Sequence, residues 1–264
     1  MTIITPLHET RFEDLRVSIY RTKQEMGQAS AQEASENIQR AIREKGEANV
    51  IFATGDSQLS FLATLREMKD IDWSKVNVFH LDEYVGIDPD HPASFPRFLR
   101  WHLIDHVNPK AFYPVQTQTE DLDKACKEYE DLLRAYPADL CALGIGENGH
   151  LAFNDPPFAD FDDPLWVKVV KLDERSCQQQ VGEGHFASLE EVPTHAITLT
   201  IPALLAAKRV LAIAPEARKV EAVFRALRGP ISTECPASIL RRTPHAHLFL
   251  DVDSAAKAYR DLES

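Results

Sequence analysis

The sequence predicts an α/β fold with a doubly wound, mainly parallel sheet and helices on both faces, in a Rossmann-like arrangement. Short apolar runs alternate with longer amphipathic stretches along most of the 264 residues. Apolar runs of this kind are typical of strands buried on both faces, and helices of this length supply the crossovers that parallel strands need. No repeat, low-complexity tract or linker interrupts the pattern, so we expect a single domain over residues 1–264.

Each predicted strand is a short apolar run rich in β-branched or aromatic residues, and each predicted helix has apolar side chains three and four positions apart. The strands are predicted at residues 49–54, 76–81, 140–145, 196–200, 210–214 and 247–250. The helices are predicted at residues 57–68, 94–106, 119–136 and 216–228.

The charge balance argues against nucleic acid or an anionic membrane as a partner. The chain has 29 Lys and Arg against 41 Asp and Glu, a formal net charge of −12, whereas such partners select basic surfaces. The four cysteines are scattered and form no CxxC pair, and the first residues lack the pattern of a signal peptide. No apolar stretch is long enough to span a membrane, so a cytoplasmic protein with reduced thiols is expected.

Polar, chemistry-bearing residues follow three of the predicted strands. They are the segments 54–57, 82–84 and 144–150. Ligands of doubly wound sheets bind beyond the carboxyl ends of the strands, so these three segments are expected to share one site.

Asp82, Asn148, His150 and Asp155 are the candidate catalytic residues. A carboxylate, an imidazole and a second carboxylate to orient it are the groups that move protons on and off a small polar substrate. Each has a structural alternative. A strand-end aspartate often caps a turn, Asn-Gly-His is compatible with a tight turn, and Asp155 is compatible with a loop exit.

Gly144, Gly146 and Gly149 match the spacing of the dinucleotide-binding fingerprint. That fingerprint opens a helix, whereas here two prolines follow closely, so a nicotinamide cofactor is not predicted. Thr54, Gly55, Asp56 and Ser57 instead form a strand-to-helix turn of the kind that binds phosphate. The alternative is a plain turn in which Ser57 caps the helix. Asp56 would repel a phosphate unless its carboxylate points away, and Lys219 would attract one.

At these residues the chain closely resembles the glucosamine-6-phosphate deaminase branch of the glucosamine-6-phosphate isomerase/6-phosphogluconolactonase superfamily. The matching segments are 81–86, 90–94, 144–150, 153–156, 192–200 and 235–238. The resemblance implies deamination and isomerisation of an amino-sugar phosphate to a ketose phosphate plus ammonia, without metal or cofactor. Asp82 would be the base at C2, His150 would open the sugar ring, and Asp155 would orient the imidazole. A small-molecule sugar phosphate is the implied partner, and a homo-oligomer is possible.

The resemblance also assigns Glu83, Tyr84 and Gly149 to the substrate pocket. Two of its phosphate-binding features are altered here, because Asp56 replaces a glycine of the usual turn and Gln180 aligns with a phosphate-binding arginine. Lys219 matches the phosphate lysine. The candidates to replace the lost arginine are Lys168, Arg175 and Arg218.

Two other functions stay open on the sequence alone. A sugar-lactone hydrolase would use His150 as a general base, although the residues after it match that branch poorly. A non-catalytic sugar-phosphate sensor would have no need of Asp82, His150 and Asp155 together. Proton exchange at C2 of the sugar separates a deaminase from both alternatives.

Overall fold

The computed structural model of the protein describes residues 4–156, 158–182 and 184–263. Its strands are β1 (His8–Phe12), β2 (Leu15–Tyr20), β3 (Ala48–Phe52), β4 (Val76–His80), β5 (Asp82–Tyr84), β6 (Ala111–Tyr113), β7 (Leu140–Leu143), β8 (Val167–Lys171), β9 (His195–Leu199), β10 (Val210–Ile213) and β11 (Ala246–Asp251). Its α-helices are α1 (Lys23–Lys45), α2 (Leu59–Glu67), α3 (Phe95–Leu99), α4 (Asp105–Val107), α5 (Leu122–Ala135), α6 (Glu174–Gly182), α7 (Ile201–Leu205), α8 (Val220–Arg228) and α9 (Val252–Glu263). A π-helical turn, Arg100–Ile104, joins α3 to α4.

The main sheet confirms the predicted fold class. Across the described ranges its eight strands run in the order β1-β2-β11-β10-β7-β3-β4-β6, and all neighbours are parallel except β1 and β2. The connections lead in opposite directions from the adjacent strands β3 and β7, because β3 is followed by β4 on one side and β7 by β10 on the other. This switch in direction opens a crevice at the carboxyl edge of the sheet, which is where such folds bind ligands.

The two faces of the main sheet carry separate apolar cores. Val50 and Phe52 of β3 pack with α1, α2 and the α3–α4 segment, whereas Ile51 packs with α5, α7, α8 and α9. Successive side chains of a strand point to opposite faces, so a fully apolar strand of this kind serves both cores at once. Helices on both faces are therefore confirmed.

A second, three-stranded sheet corrects two of the sequence-based expectations. Residues 196–200 were expected to form a strand of the main sheet, but β9 lies antiparallel between β5 and β8 in the separate sheet. Residues 82–84 were expected to be a loop and form β5. An apolar run specifies that a strand is buried, but not which partner strands it pairs with.

Helix starts differ from the sequence-based boundaries by a few residues. A 3₁₀ turn, Asp56–Gln58, precedes α2, so Gln58 rather than Ser57 occupies its N-cap. A second 3₁₀ turn, Ala217–Lys219, precedes α8. Helix α5 begins after Asp121, whose Oδ1 accepts a hydrogen bond from the backbone N–H of Lys124 at 2.9 Å. No helix within the described ranges combines the length and apolar character needed to cross a membrane.

Candidate active site

One pocket at the carboxyl edge of the main sheet gathers most of the predicted site residues. The predicted residues that line it are Thr54, Gly55, Asp56, Ser57, Asp82, His150, Gln180 and Lys219. They come from the ends of β3, β4, β7 and β10, and from α6. The expected convergence of the three strand-end segments is therefore seen in the structure.

Asp82 lies where the chain leaves the main sheet for the second one. Leu81 separates β4 from β5, and Asp82 pairs with Thr198 of β9. The residue is only 7% exposed, and this burial raises the pKa of its carboxyl group well above that of an ordinary aspartate. The neighbouring charge of Glu83 raises it further. A carboxyl group with a raised pKa is a stronger base than one in water, which suits it to proton abstraction.

His80 fixes the backbone beneath Asp82. Its Nε2 accepts a hydrogen bond from the backbone N–H of Val115 at 2.8 Å, so its proton lies on Nδ1 and is donated to the Asp82 carbonyl at 2.9 Å. Complete burial lowers the pKa of His80 to about 4, which keeps the ring neutral and this hydrogen-bond pattern in place near neutral pH.

His150 is held by two side chains of its own loop. Asp155 Oδ1 accepts hydrogen bonds from His150 Nδ1 at 3.0 Å and from Asn148 Nδ2 at 2.7 Å. Asn148 Oδ1 in turn accepts one from the His150 backbone N–H at 2.9 Å. Asn148 and Asp155 do not line the pocket, so they act on the imidazole from behind. Because a carboxylate only accepts, the contact places a proton on Nδ1, and Nε2 lies on the ring edge away from Asp155.

A tight turn returns Asp155 to His150. The chain reverses at Ala152, whose φ of 50° is in the left-handed region, and Leu151 and Asn154 form an isolated bridge. The Asn154 side-chain amide donates to the carbonyls of Leu151 and Leu199, both at 2.8 Å. The buried amide thus ties this loop to the end of β9.

Gly146 provides the surface against which the imidazole lies. A Cβ atom at this position would be 2.2 Å from Cε1, 2.3 Å from Nε2 and 2.4 Å from Nδ1 of His150. These distances are far below van der Waals contact, so only glycine leaves room for the ring in this position.

Two turns of the same backbone shape flank β7. After β3, Gly55 has φ 93° and ψ 169°, and Gln58 has φ −92° and ψ −12°. After β10, Glu216 has φ 80° and ψ 146°, and Lys219 has φ −92° and ψ −6°. Both turns contribute residues to the pocket, one on each side of the His150 loop.

Glu216 adopts a backbone conformation that is essentially restricted to glycine, which costs on the order of 1–3 kcal/mol. Its backbone N–H donates to both carboxylate oxygens of Asp251 at 3.1 Å. Its side chain contacts Lys23 Nζ at 2.5 Å and Arg218 Nε at 2.7 Å. These contacts stabilise the strained turn. Lys219, the last residue of the turn, is only 3% exposed.

Three predicted pocket residues lie outside the pocket lining. Glu83 is buried and accepts hydrogen bonds from Tyr84 N, Ser94 Oγ and Phe95 N at 2.8, 2.8 and 3.1 Å, so it connects β5 to the start of α3. Burial raises the pKa of Glu83 to about 7, against the opposing effect of these donors. Tyr84 packs in an aromatic cluster with Phe95, and the Gly149 carbonyl accepts from Ala237 N at 2.8 Å.

The pocket also contains residues that the sequence did not assign to it. Phe95 and Phe98 of α3 form an apolar wall, and His185 lies beyond α6. Phe95 and Phe98 lie in a segment that was predicted only to be a helix, and no motif surrounds His185. Of the three cations considered as replacements for the lost arginine, Arg218 lines the pocket. Lys168 pairs with Asp163 at 2.7 Å and does not line it.

The side chain of Arg175, the third candidate, lies outside the described part of the structure. Among the residues that are described, no group of three or more His, Cys, Asp or Glu side chains is arranged to hold a metal ion.

The chain matches a known protein family over most of its length. Residues 21–249 match the family described as glucosamine-6-phosphate isomerases/6-phosphogluconolactonase. A glucosamine-6-phosphate deaminase of Bacillus cereus (strain B4264) is 36% identical over 240 residues, covering 91% of this chain and 88% of that protein. A second, from Bacillus cereus (strain G9842), is 39% identical over 217 residues, covering 82% of this chain and 80% of its own length.

Solved structures show the same fold. A monomeric glucosamine-6-phosphate deaminase superposes with a TM-score of 0.84 at 28% identity, covering 91% of this chain and 98% of that one. A 6-phosphogluconolactonase from Shewanella baltica OS155 superposes with a TM-score of 0.76 at 19% identity, covering 92% of this chain and all of that one, which shows the fold alone. The chain belongs to the family of glucosamine-6-phosphate isomerases and 6-phosphogluconolactonases.

Proposed function

We propose that this protein is an enzyme that deaminates and isomerises an amino-sugar phosphate, glucosamine 6-phosphate or a close relative, to a ketose phosphate and ammonia. The observation that carries the proposal is the convergence of a buried carboxyl group, Asp82, and a carboxylate-oriented imidazole, His150, on one pocket. The names of its relatives, at 36–39% identity over most of the chain, support the same activity.

His150 is proposed to open the sugar ring. Its Nε2 edge exchanges a proton with the ring oxygen and the C1 hydroxyl, while the carboxylate of Asp155 stabilises the imidazolium that forms. Asn148 supports this role because it holds both the carboxylate and the His150 backbone. The product of this step is the open-chain aldehyde.

Asp82 is proposed to transfer the proton between carbons. Its carboxylate takes the proton from C2 of the aldehyde, and the C1 oxygen gains a proton, which gives an enol-type intermediate that retains the amine. Return of the proton to C1 leaves an iminium group at C2. The substrate's own carbonyl accepts the electron pair, so the step needs no cofactor.

Water then adds at C2 and ammonia leaves, which yields the ketose phosphate. The net reaction consumes one water and breaks a carbon–nitrogen bond, so it is formally a hydrolysis coupled to an isomerisation. The turn at residues 54–57 and the Lys219 side chain are proposed to bind the phosphate, since backbone N–H groups and a lysine suit a dianion.

The experiment that tests the proposal measures ammonia release from glucosamine 6-phosphate, galactosamine 6-phosphate and the two unphosphorylated sugars. Release from one phosphorylated epimer, lost in Asp82→Asn, would support the proposal and identify the substrate. Deuterium exchange at C2 in heavy water provides a second readout. Hydrolysis of 6-phosphogluconolactone without any C2 exchange would contradict a deaminase and favour the lactonase alternative.

We also propose that the enzyme acts in the cytoplasm, since its four cysteines are free thiols. Assembly into a homo-oligomer stays a prediction, which light scattering of the purified protein tests directly.

A further inference from the structure

Arg218 lies in the pocket and is held there by carboxylates. Its Nε donates to Glu216 Oε2 at 2.7 Å, and its Nη1 lies 3.7 Å from Glu147 Oε1. The Arg218 side chain is 27% exposed, so a ligand in the pocket can reach the guanidinium. An arginine binds a phosphate through two parallel hydrogen bonds, which makes a phosphate dianion a stronger partner than a single carboxylate contact.

The charged side chains that line the pocket indicate what Arg218 binds. Among the pocket-lining residues that the structure describes, the arginine and lysine side chains are those of Arg218 and Lys219. Gln180 contributes no charge, and Asp56 and Asp82 contribute carboxyl groups that oppose anion binding. Lys219 is a compact point charge, so the planar recognition of a phosphate falls to Arg218.

The carboxylate of Glu216 contacts two cations, so it can lose its contact with Arg218 and still have its negative charge neutralised. Its Oε1 contacts Nζ of Lys23, the first residue of α1, at 2.5 Å, while its Oε2 contacts Arg218. When Arg218 moves to a phosphate, Lys23 still neutralises the carboxylate. The exchange therefore leaves the Glu216 carboxylate compensated, and the Glu147 side chain is 45% exposed, so solvent screens its charge.

The strained backbone of Glu216 indicates that the residue is not needed to form the turn and that its side chain has a separate function. The matching turn after β3 reaches the same conformation with Gly55, which adopts it without strain. A glycine after β10 would form this turn equally well. The strained glutamate instead brings a carboxylate to the guanidinium two residues along.

We propose that Arg218 determines specificity for the phosphate monoester of the substrate, and that Glu216 is a positioning residue that holds the guanidinium until a phosphate dianion displaces its carboxylate. This inference rests on the proposed function and names the side chain that recognises the phosphorylated substrate class. It predicts opposite effects for the two residues on phosphate affinity.

Titration calorimetry with inorganic phosphate tests the inference without any turnover. We expect Arg218→Gln to weaken phosphate binding about tenfold or more, the loss that follows from removing a charged hydrogen-bonding partner. Glu216→Gly removes the competing carboxylate and the backbone strain together, and we expect it to tighten phosphate binding severalfold. Arg225→Gln, which alters a cation of α8 outside the pocket, serves as the matched control and leaves phosphate affinity unchanged.

Unchanged phosphate affinity in Arg218→Gln would overturn the role of Arg218, and weaker binding in Glu216→Gly would overturn that of Glu216. Should Arg218→Gln not fold, Arg218→Lys keeps the charge but not the planar fork, and we expect affinity between that of the wild type and about tenfold weaker. Wild-type affinity in Arg218→Lys would then refute the inference.

Kinetics separate this inference from the proposed function. Arg218→Gln is expected to raise KM for the phosphorylated substrate with little change in kcat, because the contact is made equally before and during the reaction. A fall in kcat with unchanged KM would contradict it. A wild-type protein that releases no ammonia but binds phosphate through Arg218 would refute the proposed function and leave this inference standing.

Discussion

Replacing Gly146 by alanine tests whether the position of the His150 ring governs the reaction. The new Cβ would be nearly equidistant, at 2.2–2.4 Å, from Cε1, Nε2 and Nδ1 of the imidazole. A carbon at nearly equal distances from these three atoms stands over the face of the ring. The clash therefore pushes the imidazole along the normal to its own plane.

The size of the displacement follows from these distances. Ordinary van der Waals contact begins near 3.4 Å, so the ring has to move by about 1 Å. Movement normal to the ring tilts the 3.0 Å contact between Nδ1 and Asp155 more than it lengthens it. The same movement takes Nε2 out of the position from which it is proposed to act on the substrate. Misplacement of a catalytic group by 1 Å lowers the rate about 10²-fold, or about 2.7 kcal/mol in transition-state stabilisation.

The assay is kcat/KM for ammonia release, with thermal unfolding to show that the variant is folded. Gly182→Ala is the matched control, because a Cβ there meets nothing within 4 Å, and its activity is expected to equal that of the wild type. A folded Gly146→Ala variant with activity within about threefold of the wild type would refute the reasoning that the ring position, fixed by Gly146, controls the rate.

Four further predictions concern carboxyl groups in the site and next to it. Asp82→Asn is expected to lower kcat by about 10²–10⁴-fold. In the wild type, kcat/KM should fall with decreasing pH well above the pKa of an ordinary aspartate, because burial raises the pKa of Asp82. A pH profile with an acid limb near pH 4 would contradict this assignment. Asp155→Asn is expected to lower kcat by about 10–10²-fold with the fold intact, since His150 loses a charged partner; a change confined to KM would count against it. For Glu83, the pKa is raised from 4.5 to about 7, so its contribution to stability is present below pH 4.5 and is lost as the pH rises through 7. The free energy of unfolding of the wild type, measured in urea, should therefore fall relative to Glu83→Gln by about 3 kcal/mol between pH 4.5 and 8, and a pH-independent difference would contradict the shift.

Most of the fold and the site could be predicted because they depend on local signals. Apolar runs predicted β3, β4, β7, β10 and β11 of the parallel sheet, and the strand-end segments predicted the pocket. The N-terminal hairpin, β6 and α1 were not predicted, although Leu15, Val17 and Ile19 of β2 alternate with polar residues, a pattern typical of a half-buried strand. The buried face of α1 consists largely of alanine, serine and glycine, such as Ala31, Ala34 and Ser35, which pack closely but give little hydrophobic contrast.

The roles of individual site residues depended on three-dimensional neighbours that sequence spacing does not specify. Glu83 follows Asp82 directly, yet its carboxylate points to the start of α3 rather than into the pocket. Neighbouring residues of a strand face opposite sides, so adjacency in a motif does not imply a shared role. The sequence did not distinguish Arg218 from the two other candidates to replace the phosphate-binding arginine, whereas in the structure the turn after β10 places Arg218 in the pocket lining.

The pocket and the turns next to it contain several departures from local sequence preferences. Asp82 and Glu83 are adjacent buried carboxyl groups, and Ala152 and Glu216 have positive φ values without being glycine. Each departure costs stability. Asp82 and Ala152 line the pocket, and Glu83 and Glu216 lie within two residues of the pocket residues Asp82 and Arg218. The protein can maintain such a site because most of its stability comes from the two apolar cores on the faces of the main sheet, away from the pocket. Substitutions that relieve these departures should therefore stabilise the protein while altering proton transfer or phosphate binding, which separates them from substitutions in the cores.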